Sequence, residues 1–158
     1  MRKNNFLFAI TWIVFILCGC GRSTDELIHD LNIENPRARL RAATALIGRR
    51  DKDTTSKLIK EFEKNDERLT FIVTQILGDR ADTSAVQSLG NVSKHANPHI
   101  RARALWSIGS IGNESGIPYL VEGLKDSVAY VRHAAVQGIG YIHYAPAARY
   151  LYPMLRDE

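Results

Sequence analysis

The amino-acid sequence predicts an all-α chain, a right-handed α-solenoid of antiparallel helix pairs, and three observations lead there. The first is a pattern running from residue 39 to the C-terminus and closing on Ile47-Gly48, Leu77-Gly78, Ile108-Gly109 and Ile139-Gly140, at intervals of 30, 31 and 31 residues. A period of that length is the signature of stacked helical repeats. The second is that further columns keep step with the glycines: Ala43, Val73, Ala104 and Ala135 five residues before them, and Ile59, Leu89, Leu120 and Leu151 eleven after. The third is that only a few residues separate the helix-periodic segments, which forces consecutive helices to run antiparallel.

Taken in order, Ser23-Thr-Asp-Glu26 has the spacing of a capping box, in which the serine oxygen and the glutamate each satisfy the other's backbone amide. It opens a helix carrying Leu27, Ile28, Leu31 and Ile33 that ends near Asn35-Pro36, because the residue before proline disfavours helical geometry. Residues 24–35 thus read as a half-repeat capping the stack. Repeat one, about 36–64, sets Leu40, Ala43 and Ile47 on one face of its first helix. Repeat two, about 66–95, starts at the N-cap Asp66 and opens its second helix at Asp82 or Thr83. Repeat three, about 97–125, starts with Asn97-Pro98 and opens its second helix near Pro118. Repeat four, about 127–156, carries Val131, Ala135 and Ile139, then a last helix with Leu151, Pro153 and Leu155. The expectation is nine helices. The phased glycines require either a close helix crossing or a left-handed helix end, since glycine inside a helix costs up to about 1 kcal/mol. Small Ala43, Ala104 and Ala135 fit the crossing, with paired helices approaching at an inner seam.

Composition is that of a globular chain, 45% apolar and 24% charged, and nothing in it suggests disorder. The first residues differ. Arg2 and Lys3 precede an apolar run from Phe6 to Leu17, which is short for a bilayer span of roughly 20 residues but right for a secretory signal. Leu17-Cys18-Gly19-Cys20 resembles the bacterial lipobox, where a small residue precedes an acylated cysteine. That resemblance implies a signal peptide over 1–19, lipidation at Cys20, and a tether over 20–23 ahead of the repeat domain, 24–158. An uncleaved anchor is the other reading of the same segment. The expected address is the cell envelope, with the protein lipid-anchored to a membrane. Absence of aspartate after Cys20 favours the outer membrane where two membranes are present. Both cysteines of the chain fall in this segment, so the body has no disulfide or cysteine zinc site. Without Arg2 and Lys3 the formal charge of +4 becomes +2, so nucleic acid is not expected as a partner.

Asn97-Pro-His-Ile100-Arg101-Ala-Arg-Ala104-Leu-Trp-Ser-Ile-Gly109 and Val131-Arg132-His-Ala-Ala135-Val-Gln-Gly-Ile139-Gly140 resemble HEAT repeats of the short phycobilisome-lyase-like type. The resemblance covers about residues 36–156. Repeat two has Leu69-Thr70 where the arginine belongs, and repeat one has Leu40-Arg41 one residue late. The resemblance implies a curved stack used mostly for binding proteins. Deoxyhypusine hydroxylase, a HEAT-like enzyme, uses His-Glu pairs to hold iron, and no His-Glu dipeptide occurs here.

Candidate partner-binding residues are Arg101, Arg132, Trp106, Tyr141 and Tyr144. Arg101 and Arg132, at the arginine position of the resemblance, either form a ladder between repeats, with Asp126 as one acceptor, or line a groove. Trp106 belongs to the core or to the groove, and the C-terminal tyrosines close the core or form a contact patch. Arg37, Arg39, Arg41, Arg49 and Arg50 form a basic run, either a solvated helix face or a surface for an anionic partner or lipid headgroup. His95 and His99 are split by Asn97-Pro98, so no metal site is expected, nor a cofactor or catalytic residue. The reading is a membrane-anchored, non-enzymatic lipoprotein scaffold for a protein partner; the alternative is a subunit, catalytic or not, resembling the bilin-lyase HEAT-repeat proteins.

Overall fold

The computed structural model describes residues 21–142. These form eight α-helices and no strand, so the fold is all-α as expected. The ninth helix expected from the sequence, with Pro153 and Tyr144, lies outside the described residues, as do the apolar run and Cys20. The chain divides after Arg50 into two compact units.

In the first unit, α1 (Thr24–Leu31) packs on α2 (Pro36–Gly48). Both halves of the capping box form: Ser23 Oγ accepts from the Glu26 amide at 3.1 Å, and Glu26 accepts from the Ser23 amide at 2.9 Å. The buried residues are Leu27, Ile28 and Leu31 of α1 with Ala42 and Leu46 of α2. This corrects the expected face of α2, because Leu40 is 69% exposed and the buried pair sits one residue before Ala43 and Ile47. The cause is where the helix starts. N-caps Asn35, Asp66 and Asn97 stand 31 residues apart, whereas Gly48 follows its cap one residue later than Gly78 and Gly109 do. Counting back from the glycine therefore lands one residue late.

The second unit contains α3 (Lys52–Lys60), α4 (Glu67–Arg80), α5 (Val86–Val92), α6 (Pro98–Ile111), α7 (Ile117–Gly123) and α8 (Ala129–Tyr141). Asp51, Asp82 and Asn113, again 31 apart, cap the segments leading into α3, α5 and α7. The long helices α4, α6 and α8 pack side by side, while α5 lies on α6 and α7 on α8. Val73, Ala104 and Ala135 are fully buried, as are Leu77 and Ile108, with Ile139 nearly so. Leu58, Leu89 and Leu120 supply the buried column of the short helices, so Leu58 takes the place expected for Ile59. Each such large side chain contributes about 1.5–3 kcal/mol relative to exposure.

The phased glycines have a steric reason at two positions. A Cβ on Gly109 would stand 2.3 Å from the Gly138 Cα, and one on Gly78 would stand 2.7 Å from the Ser107 Cβ. The close approach therefore joins successive long helices, not the two helices of a pair as expected. At Gly48 and Gly140 a Cβ would meet nothing within 4 Å among the described residues. Left-handed helix ends occur elsewhere, at Gly112 (φ 71°) and one period earlier at Ala81 (φ 52°).

Two substitutions with opposite signs follow. Gly109→Ala forces α6 away from α8 and is expected to cost about 1–3 kcal/mol, whereas Ala81→Gly relieves a left-handed alanine and is expected to gain about 1 kcal/mol. Denaturant midpoints at constant slope measure both.

Candidate functional site

The arginines of the chain separate by what their donors meet. Arg101 donates through Nε to Asp126 Oδ2 at 2.7 Å and through Nη2 to Oδ1 at 3.0 Å, a two-pronged pair that is mostly buried. Its Nη1 donates to the carbonyls of His95 and Ala96, at 2.9 and 2.8 Å. One period later Arg132 Nη1 donates to the carbonyls of Asp126 and Ser127, at 2.8 and 3.1 Å. One period before the Thr70 column Arg39 Nη1 reaches the Ile33 carbonyl at 3.3 Å, the same six-residue span. Arg39, not Arg41, thus holds the repeat arginine position in α2. These side chains bind the loop in front of their own helix.

A second series sits at the helix ends. Arg49 Nη1 donates to Thr24 Oγ1 at 2.6 Å and Nη2 to the Arg22 carbonyl. One period on, buried Arg80 donates to the Asp51 carbonyl at 3.0 Å and to Thr55 Oγ1 at 3.2 Å. Thr55 in turn donates to Asp82 at 2.6 Å. The expected basic run is thereby divided: Arg39 and Arg49 turn inward to tie their unit together, while Arg37, Arg41 and Arg50 are exposed.

Carboxyl chemistry follows this wiring. Hydrogen bonds from Arg101 hold the Asp126 carboxyl below the usual range against the opposing effect of burial, helped by the Val128 amide and by the charges of Arg101 and Arg132. The Thr55 hydroxyl, then Ser84 and the Arg80 charge, act likewise on Asp82.

Among the described residues, the surface left over is a depression of about 390 Å³ lined by α4, α6 and α8. Arg103 stands in it with its guanidinium carbon 4.7 Å from the Phe71 ring centroid and 5.6 Å from that of Trp106. His99 and Tyr130 stack beside them at 5.1 Å with 21° between ring planes. Trp106 is half-buried and lines this depression. Tyr141, 49% exposed, ends α8, and Tyr144 lies outside the described residues. Sequence reasoning singled out Trp106 but missed Arg103, Phe71, His99 and Tyr130 as its neighbours. The period places all four in columns: Arg68, His99 and Tyr130 share one, Phe71 and Ala102 a second, and Arg103 and Ala134 a third. A second depression of about 350 Å³ is lined by Ile59, Phe62, Thr70 and His95 among others. Among the described residues no three His, Cys, Asp or Glu side chains gather into a metal-binding group, and no helix is long and apolar enough to cross a membrane.

Paired helices repeated at a fixed interval define an α-solenoid. The family model for HEAT repeats matches residues 55–140 and 86–158, and the chain belongs to the HEAT-repeat family. Human deoxyhypusine hydroxylase, solved in complex with glycerol, is similar at a TM-score of 0.65 and 21% identity, over 77% of this chain and 43% of that one. The complex of CpcE and CpcF of phycocyanin lyase from Nostoc is similar at a TM-score of 0.59 and 20% identity, over 99% of this chain and 65% of that one. The chain spans less than two thirds of either, and at these identities the likeness is one of fold. No curated protein sequence matches the chain.

The ladder is open to a pH test. Asp126 has a lowered folded pKa, so the stability it contributes is present above the ordinary carboxylate value of about 3.9 and is lost as pH falls toward the folded value. Asp126→Asn is expected to cost about 1–3 kcal/mol at pH 7 and to flatten the decline in stability between about pH 5 and pH 2. Urea unfolding across that range reads both.

Proposed function

We propose that this chain is a protein-binding HEAT-repeat subunit without a reaction centre of its own, working inside a larger assembly. The observation that carries the reading is the aromatic depression spanning α4, α6 and α8, which the chain's own described side chains leave unfilled. Aromatic side chains offer large, rigid contact area and are enriched where binding energy concentrates. The likeness to a phycocyanin lyase solved as a complex of two subunits supports a subunit of the bilin-lyase kind better than a free-standing membrane scaffold. The lipobox-like sequence at Cys20 adds a separate proposal, that the assembly is tethered to a membrane of the cell envelope.

Both parts are tested on the full chain in its own cells. With a photocrosslinking amino acid at position 106, a discrete adduct with one protein is expected, and none with the same group at Gln87 on the exposed side of α5. Trp106→Ala is expected to weaken recovery of that protein by about tenfold or more while leaving the unfolding midpoint near wild type. Equal adducts at both positions, or none, contradict the reading. Cys20→Ala is expected to move the protein out of the membrane fraction and to keep the adduct; a chain already cytosolic and unprocessed contradicts the tether alone.

A further inference from the structure

We infer that the depression over α4, α6 and α8 receives an acidic segment of the partner protein, with one carboxylate held by Arg103 and an adjoining apolar or aromatic side chain on Trp106. The inference rests on the protein-binding reading and adds the chemistry of the bound segment.

The argument begins with what Arg103 lacks. Arg101, Arg132 and Arg80 each donate to carbonyls, carboxylates or hydroxyls. Among the described residues Arg103 has the two ring contacts, and no carboxylate, carbonyl or hydroxyl accepts from it. Cation–π contact holds the guanidinium in place and uses none of its N–H groups. A planar fork of donors fixed in this way is suited to taking a carboxylate through two parallel hydrogen bonds.

The surroundings favour a negative ligand. Among the described residues no acidic side chain lines the depression. Two acidic groups of these helices and their loops are already engaged, Asp126 by Arg101 and Glu67 by the Asn97 side-chain amide at 2.8 Å. The positive charge of Arg103 is therefore not cancelled locally, whereas that of Arg101, two residues away, is. The walls are rings and alanines: Phe71, Trp106, the His99–Tyr130 stack, Ala102 and Ala134. Such walls accommodate apolar side chains beside the carboxylate, which free phosphate or a bare polyanion would leave uncovered. The combination fits a short peptide better than a nucleic acid.

A random peptide display library screened with the full-length protein in detergent tests this without knowledge of the partner. Wild type is expected to enrich peptides pairing Asp or Glu with an aromatic or large apolar residue. Arg103→Met, which keeps the bulk against Phe71 and Trp106, is expected to lose the acidic enrichment and keep the apolar one. The best peptide and its Asp→Asn, Glu→Gln counterpart are then compared by calorimetry. The amide form is expected to bind about ten- to hundredfold more weakly to wild type and equally to Arg103→Met. Arg103→Lys, with charge but no fork, falls between them. Absence of acidic enrichment, equal binding of acid and amide peptides, or acidic enrichment undiminished in Arg103→Met overturns the inference. So does displacement of the peptide by a single-stranded oligonucleotide at lower concentration than by the peptide itself. If position 106 still crosslinks to a partner while the acidic preference is absent, only this inference fails; if neither appears, the protein-binding reading fails with it.

Discussion

Successive long helices come into backbone contact because Gly109 faces Gly138 and Gly78 faces Ser107. A methyl group at either glycine would occupy space already filled. This contact fixes how far α4, α6 and α8 are displaced from one another, and interiors packed to crystal-like density transmit that spacing to neighbouring side chains. With the spacing fixed, the buried columns of the second unit fall in line at 31-residue intervals: Val73, Ala104 and Ala135, then Leu77, Ile108 and Ile139. The residues of α4, α6 and α8 that line one depression are brought together by the same displacement.

Charge is distributed by the same register. An arginine placed early in a long helix reaches six residues back to the loop carbonyls in front of it, as Arg39, Arg101 and Arg132 do. Those carbonyls lie in the loop that follows a helix end. Arg49 and Arg80, at the far ends of their helices, reach the threonine columns at Thr24 and Thr55. A chain with 21 basic residues thus commits several of them to its own loops. Arg103 is distinguished by position: it lies on a face of α6 where its contacts among the described residues are the rings of Phe71 and Trp106.

The period and the helix pairs were legible in the sequence because glycine, caps and apolar columns recur together. The N-caps Asp66 and Asn97 and the box at Ser23 could be read directly, since capping depends on local chemistry. Repeat one was misread by one residue because Gly48 and Gly78 do not occupy equivalent places after their caps. The aligned caps carried the correct register. Asp126 could be named as a candidate acceptor in the ladder of Arg101 and Arg132. What the sequence hid was the depression, since residues 71, 103, 106 and 130 are brought together by packing across three helices. A cation–π cluster of that kind has no linear motif. Cys20 and Tyr144 lie outside the described residues, and the sequence alone speaks for them.

The central claim is that the repeat register spends Arg101 on the fold and leaves Arg103 for a ligand. It is tested most directly by measuring the exchange of arginine Nε–H protons with solvent by nuclear magnetic resonance, in the full chain without a partner. The account predicts a slowly exchanging Arg101 Nε–H, shielded by its bond to Asp126, and a rapidly exchanging Arg103 Nε–H. Protection of Arg103 equal to that of Arg101 would mean that the chain itself engages this guanidinium, and would contradict the account.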